Sequence, residues 1–314
     1  MNFMLSTCHR PRRAARLALA AGLAGAALLT AAACGSSADS DQPMTGMSHP
    51  GAHPTASAGP MGSGMPGMGD MPTGDGLGAT ASGLTFAPSP STTTPLVGQP
   101  ATFRFQIRDT DGAPVTAFEP DQTKLMHFYL IRSDLTGFQH VHPTMAADGT
   151  WTANLATAPA GSYRAYASFI TQISGRDTPL VLSRPITVPG PAAPAVPLPA
   201  PSRVTTVDGY TLTVAAGTRL MGGMTHPLTL AVSRNGTPVN DLEPYLDTYA
   251  HLTAFHEGDL SFAHLHPLGA VQGDHGGPTL SFEAMLPHSG RWRLFVQFQT
   301  AGVLHTAALT LAVS

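Results

Sequence analysis

Residues 112–143 read GAPVTAFEPDQTKLMHFYLIRSDLTGFQHVHP, and residues 236–267 read GTPVNDLEPYLDTYAHLTAFHEGDLSFAHLHP. The two stretches align without a gap. Both keep Gly-x-Pro-Val, Glu-Pro, one isolated histidine and a closing His-x-His-Pro. The chain is an internal duplication. His127, His140 and His142 of the first copy match His251, His264 and His266 of the second. Free drift does not hold three histidines in register through a duplication, so the trio is demanded by structure or used by chemistry. Imidazoles grouped in this way point to metal ligation.

The correspondence extends outward. Ala101–Arg108 (ATFRFQIR) and Pro227–Ser233 (PLTLAVS) are runs of β-formers closed by the turn residues Thr110-Asp111-Gly112 and Arg234-Asn235-Gly236. Gly161–Phe169 matches Gly290–Phe298, each starting Gly-x-aromatic-Arg, a pattern that suits the tyrosine corner of immunoglobulin-like sandwiches. Leu180–Val188 and Val303–Val313 read as last strands. No segment keeps a helical apolar period over three turns. The expected fold is all-β: two tandem immunoglobulin-like β-sandwiches, residues 84–188 and 203–314. Residues 189–202, PGPAAPAVPLPAPS, join them and read as a semi-rigid polyproline spacer.

Leu125–Arg132 and Phe138–His142 read as a hairpin. Residues two apart share a strand face, so His140 and His142 point the same way. An even loop places His127 on that face, opposite or beside His142; an odd loop does not. Three neutral imidazoles suit copper or zinc, with one position left open. Glu119 and Glu243 also match between copies and are candidates to hold a ring N–H. The expectation is two three-histidine sites, one on each sandwich. The competing account is a buried polar cluster that orients the hairpin of a cell-surface interaction module.

The N-terminus reads as an export signal. Arg10, Arg12, Arg13 and Arg16 precede an apolar stretch, 17–30, too short to span a bilayer comfortably. Ala31-Ala32-Ala33-Cys34-Gly35 then resembles a lipobox, which makes residues 1–33 a lipoprotein signal peptide and Cys34 the lipidated N-terminus. Arg12-Arg13 leaves the export route, general or twin-arginine, open. The expected location is the outer face of the cell membrane, with the membrane as partner through the lipid.

Cys8 leaves with the signal and Cys34 carries lipid, so the folded part has no thiolate ligand, disulfide or cysteine nucleophile. Removing the signal takes four arginines and no acids, leaving 12 basic against 19 acidic residues, a formal charge of −7. That balance argues against nucleic acid as a partner. There is no nucleophile elbow, phosphate loop or catalytic carboxylate pair, and a non-enzymatic role is expected.

Residues 34–83 read as a disordered tether, low in complexity, rich in Gly and Pro and unusually rich in methionine: Met44, Met47, Met61, Met65, Met68 and Met71. Thioethers prefer copper(I) and need no deprotonation. The tether is therefore a candidate set of soft copper ligands, and copper is the expected metal, with zinc as the alternative. A cuproenzyme or copper transporter is the expected protein partner.

The domains resemble immunoglobulin-like modules of the CopC and YtkA-like copper-handling kind. Their His-x-His-Pro and Gly-x-[Tyr/Trp]-Arg signatures are similar to those of actinobacterial secreted proteins and lipoproteins. The resemblance implies a sandwich fold and a role in copper sequestration, delivery or sensing. The N-terminal histidine ligand of the CopC kind is absent, so that family's ligand set is not carried over.

Overall fold

The computed structural model describes residues 75–89 and 98–314. The signal sequence, Cys34 and the six tether methionines lie outside the described residues. No helix occurs among the described residues. The first copy contributes β1 (Thr80–Ala81), β2 (Leu84–Pro88), β3 (Ala101–Arg108), β4 (His127–Arg132), β5 (Gln139–Val141), β6 (Thr144–Met145), β7 (Trp151–Leu155), β8 (Gly161–Ile173) and β9 (Arg176–Val188). The second contributes β10 (Val204–Val207), β11 (Tyr210–Val214), β12 (Thr225–Arg234), β13 (Thr237–Pro238), β14 (His251–His256), β15 (Phe262–Pro267), β16 (Thr279–Met285), β17 (Gly290–Thr300) and β18 (Val303–Val313).

Copy one is a sandwich of the sheets β1-β2-β3-β7-β6 and β5-β4-β8-β9. In β3, buried Phe103, Phe105 and Ile107 alternate with half-buried neighbours, so the period-two pattern aims one face inward. They meet Phe86, Phe128, Leu130 and Trp151 in the core. Copy two repeats this layout with one difference. Its β15 pairs with β14 through 262–265 and then with β16 through His266 and Pro267, so the two sheets are joined at a corner. In copy one the same residues separate into β5 and β6, with His142-Pro143 between them. The His-Pro step therefore ends a strand in copy one and turns a strand from one sheet to the other in copy two.

The tyrosine-corner expectation holds in both copies. Tyr163 Oη donates to Pro159 O at 2.9 Å, and Trp292 Nε1 donates to His288 O at 2.9 Å. The glycine that opens each motif is at positive φ, 148° at Gly161 and 128° at Gly290, with a neighbouring side chain close by. A Cβ on Gly161 would meet Arg132 Nε at 3.1 Å, and one on Gly290 would strike His256 Nε2. Tyr163→Phe removes the corner hydrogen bond and is expected to cost about 1 kcal/mol in urea denaturation, without changing the fold.

The sheets holding the histidines are buried on both faces. All six residues of β4 are buried. Phe128 and Leu130 join the interior of their own sandwich, whereas Tyr129 and Ile131 join a second cluster with Tyr166, Phe255, Phe262 and Phe295. That cluster draws on both copies. The outer faces of the equivalent sheets β5-β4-β8-β9 and β15-β14-β17-β18 are packed against each other. Phe138 and Phe295 stack across this seam with centroids 4.1 Å apart and planes 7° apart, and Tyr166 Oη donates to Leu260 O.

The proline-rich segment is fastened along the seam rather than spanning open space between separate sandwiches. Arg132 donates to Ala193 O and Pro194 O, Val196 N donates to Asp134 Oδ2 at 2.9 Å, and Leu198 packs in the seam cluster.

Candidate metal centre at the seam

In β4 and β5, Phe128 pairs with Val141 and Tyr129 with His140. That register carries His127 opposite His142, so the even-loop condition is met and the three rings share the outer face. In β14 and β15, Leu252 pairs with Leu265 and Thr253 with His264, which sets His251 opposite His266 in the same way. Because these outer faces form the seam, the two trios do not sit apart. His127 and His251 stack across it with centroids 5.3 Å apart and planes 9° apart, while His140 and His251 lie 4.6 Å apart. The expectation of two separated sites is corrected by packing: there is one histidine cluster, built by both copies.

Within it the copies differ. One ring nitrogen from each of His127, His140 and His142 lies within 4.8 Å of the other two, and among the described residues this is the group of metal-ligating side chains that converges so closely. His127 Nε2 lies 3.0 Å from Asp121 O, which only accepts, so Nε2 carries the proton and Nδ1 the lone pair. His140 Nδ1 lies 2.6 Å from Gln297 Oε1, and Gln297 Nε2 lies 3.4 Å from Thr306 Oγ1. With the Gln297 amide in this orientation, His140 Nδ1 carries the proton and Nε2 the lone pair. In that arrangement His127 Nδ1 and His140 Nε2 face each other at 3.0 Å as two lone pairs. Two lone pairs repel unless a cation lies between them. The third ring, His142, has a buried Nε2 with no hydrogen-bond partner.

Electrostatics disfavour a proton as that cation. Burial pushes His127, His140 and His142 below the usual imidazole range, with the neighbouring rings adding to the effect on His140 and His142. His142 falls to about 3, through burial first and then His127 and Lys124. In His127, Asp121 opposes the effect of burial without overcoming it. The trio is thus neutral at ordinary pH, the form that ligates metal.

In the second trio three nitrogens meet protein groups, both of His251 and Nε2 of His264. His251 Nδ1 donates to Gln122 Oε1 at 2.8 Å, and its Nε2 accepts from Tyr129 Oη at 3.0 Å. His264 Nε2 accepts from Gln122 Nε2 at 3.2 Å, and its Nδ1 is 3.7 Å from Asp121 Oδ2. His266 stands beside His264, with centroids 5.1 Å apart and a buried Nε2 that has no partner. The asymmetry traces to two positions. The 121–124 loop of copy one presents Gln122 where copy two has Leu246, though both loops hold two successive residues at positive φ. Copy two presents Gln297 opposite His251 where copy one has Ser168 opposite His127.

Glu119 and Glu243 do not supply the carboxylates expected beside the rings. Glu119 is exposed and bridges Ile170 through its backbone, and Glu243 accepts from Gln299 Nε2 and Gly302 N. The ring partners are instead Asp121 O, Gln122, Gln297 and Tyr129. Each differs from its counterpart in the other copy, and that difference is the signal by which the sequence marks them. Gln122→Leu is expected to leave His251 Nδ1 and His264 Nε2 buried without partners, costing about 2–4 kcal/mol in chemical denaturation.

A separate line of hydrogen bonds in copy two joins Asp208 Oδ2, His305, Thr300 Oγ1 and Tyr210 Oη at 2.7–3.0 Å. Its order mimics a hydrolase relay, but Thr300 is 2% exposed, and the line ties strand ends together.

The family model for the domain of unknown function DUF8832 matches residues 79–183 and again 205–314, so the chain belongs to that family and carries its domain twice. No curated protein matches the chain. Among solved structures it is similar to the fibronectin(III)-like modules of Clostridium thermocellum CbhA, at 14% identity over 74% of this chain and 94% of that one, with a TM-score of 0.21. It is also similar to the Yersinia pseudotuberculosis adhesin InvE, at 15% identity over 74% and 60%, TM-score 0.21. A third is the Escherichia coli alpha-2-macroglobulin activated by porcine elastase, at 14% over 74% and 20%, TM-score 0.24. The match thus spans 60% of the adhesin and a fifth of the macroglobulin, and scores this low carry no functional inference.

Proposed function

We propose that this DUF8832 protein is an extracytoplasmic, lipid-anchored metal-binding protein. Its two sandwiches enclose one transition-metal ion, copper or alternatively zinc, held by His127, His140 and His142. The observation that carries the reading is the convergence of the three rings, with His127 Nδ1 and His140 Nε2 3.0 Å apart and the buried Nε2 of His142 without a partner. Bonds of about 2.0 Å to one ion separate ligand nitrogens by roughly 3.3–3.5 Å, close to that spacing. Asp121 O and Gln297 Oε1 fill the outer role of accepting the second ring proton and fixing the tautomer. Sequestration or delivery at the cell surface fits this arrangement, with the Met44–Met71 tether and the Cys34 lipid as further parts of the proposal. The likeness to CopC and YtkA-like modules is one of module type read from the sequence, and neither the family match nor the structural neighbours add to it.

A second reading is favoured by the copy-two rings. Because Gln122 and Tyr129 occupy the nitrogens of His251, those rings serve to lock the sandwiches together, as in an interaction module with structural histidines. The two readings separate at Gln297, which touches the trio without being a ligand. Gln297→Leu is expected to weaken metal binding by about 10–100-fold in calorimetric titration. If the cluster is structural throughout, titration with copper or zinc detects no site to weaken.

A further inference from the structure

Charge around the trio is the observation from which we infer that the seam site selects a monovalent ion, copper(I), over copper(II) and zinc(II). This rests on the metal-binding reading above and specifies its cargo. The three ligands are neutral imidazoles, and no carboxylate belongs to the converging group. The charged groups acting on His127 are Asp121 and Lys124, which oppose each other in sign. The walls are aromatic: Tyr129 stacks on His140 at 4.4 Å, and His251 lies 4.6 Å from His140 on planes 22° apart. An ion entering this seam gives up hydration, and the one carboxylate it meets outside its ligands, Asp121, is 3.7 Å from His264 Nδ1 and partly offset by Lys124. The cost of burying an ion rises with the square of its charge, so a divalent ion pays about four times the penalty of a monovalent one.

Ligand number points the same way. Three nitrogens converge, and the nitrogens of the nearest further ring, His251, are engaged by Gln122 and Tyr129. Zinc takes a fourth ligand, and here that would be water drawn towards half-buried His142. Three-coordination by neutral donors leaves copper(I) satisfied. The site would then stabilise the reduced ion without itself performing a redox step.

The test uses the full chain and its His142→Ala variant, which alters the least buried ligand and leaves the tether intact. Copper(I), kept reduced under nitrogen, and separately copper(II) and zinc(II), are titrated against chromogenic chelators of known affinity. The difference between the two proteins isolates the seam site from the methionines. Far-ultraviolet circular dichroism of the variant checks that its strands persist, and His266→Ala serves as a matched control in copy two. The expected result is a copper(I) site that His142→Ala weakens and His266→Ala preserves, with copper(II) and zinc(II) bound at least about 100-fold more weakly. For copper, a 100-fold ratio corresponds to a couple raised by about 118 mV. A divalent ion held as tightly as copper(I) overturns the charge selection and leaves the metal-binding reading standing. No ion held differently by the two proteins overturns both.

Discussion

His140→Ala is expected to abolish metal binding at the seam, while His264→Ala, its counterpart in copy two, leaves the ion bound and lowers stability. By sequence the two residues are equivalent, since each is the first histidine of His-x-His-Pro. Their surroundings separate them. His140 turns Nε2 to the trio with its Nδ1 against Gln297, whereas His264 Nε2 is occupied by Gln122. Removing His140 takes away a direct ligand, so the loss of affinity should exceed the roughly 10–100-fold that an outer partner contributes. Removing fully buried His264 leaves Gln122 Nε2 unsatisfied and a cavity beside His251, together costing about 2–4 kcal/mol. Elemental analysis paired with urea denaturation of both variants reads the contrast. Equal loss of metal from both would show that the copies ligate alike.

The second large effect is acid lability of the metal-free protein. Burial holds His140, His251 and His264 well below the ordinary imidazole value of 6.5 in the folded state. Above that value both folded and unfolded chains carry these rings neutral, and their full contribution to stability is present. As pH falls below it, the unfolded chain takes up protons that the folded chain refuses, and stability drops. Each ring contributes up to about 1.4 kcal/mol per pH unit, or about 4 kcal/mol per unit for the three together. A domain pair of ordinary stability would therefore unfold or undock within roughly one to three pH units of 6.5. Thermal denaturation at pH 7.5 and at pH 5.5, with chelator present, reads this directly. A melting temperature that is flat or rises on acidification would contradict the burial of the cluster. Protons compete with metal for the same nitrogens, so metal release is expected over the same range.

Much of the fold was legible because it is written in short-range pattern. The alternation in β3 and the Gly-x-aromatic strands at Gly161 and Gly290 needed no tertiary knowledge. The face shared by His127, His140 and His142 followed from period two and loop parity. What could not be read is what the outer face of that hairpin meets. An outer face of β4 carrying Tyr129 and Ile131 reads as a strand buried on both sides, but nothing in the hairpin names the partner sheet. Docking of the two copies explains it: one sandwich supplies the cover for the other. The inequality of the trios was hidden for the same reason. Gln122 and Gln297 lie 129 and 157 residues from the rings they hold across the seam, His251 and His140. Matched histidine spacing says nothing about which ring nitrogens other side chains will occupy. Glu119 and Glu243 were plausible ring partners by alignment, yet their strand-edge positions direct them to Ile170 and to Gln299 with Gly302 instead.

The central claim is one ion, held by copy one at the seam. It is tested most directly by counting metal in the purified full chain loaded with copper(I) or zinc(II), beside the His127→Ala, His140→Ala, His142→Ala triple variant and the matching His251, His264, His266 triple variant. The account predicts that the first variant holds one ion fewer per chain than the parent and that the second, wherever it remains folded, holds the same number. A first variant that keeps the parent's full complement, or two folded variants that each lose one ion, would contradict it.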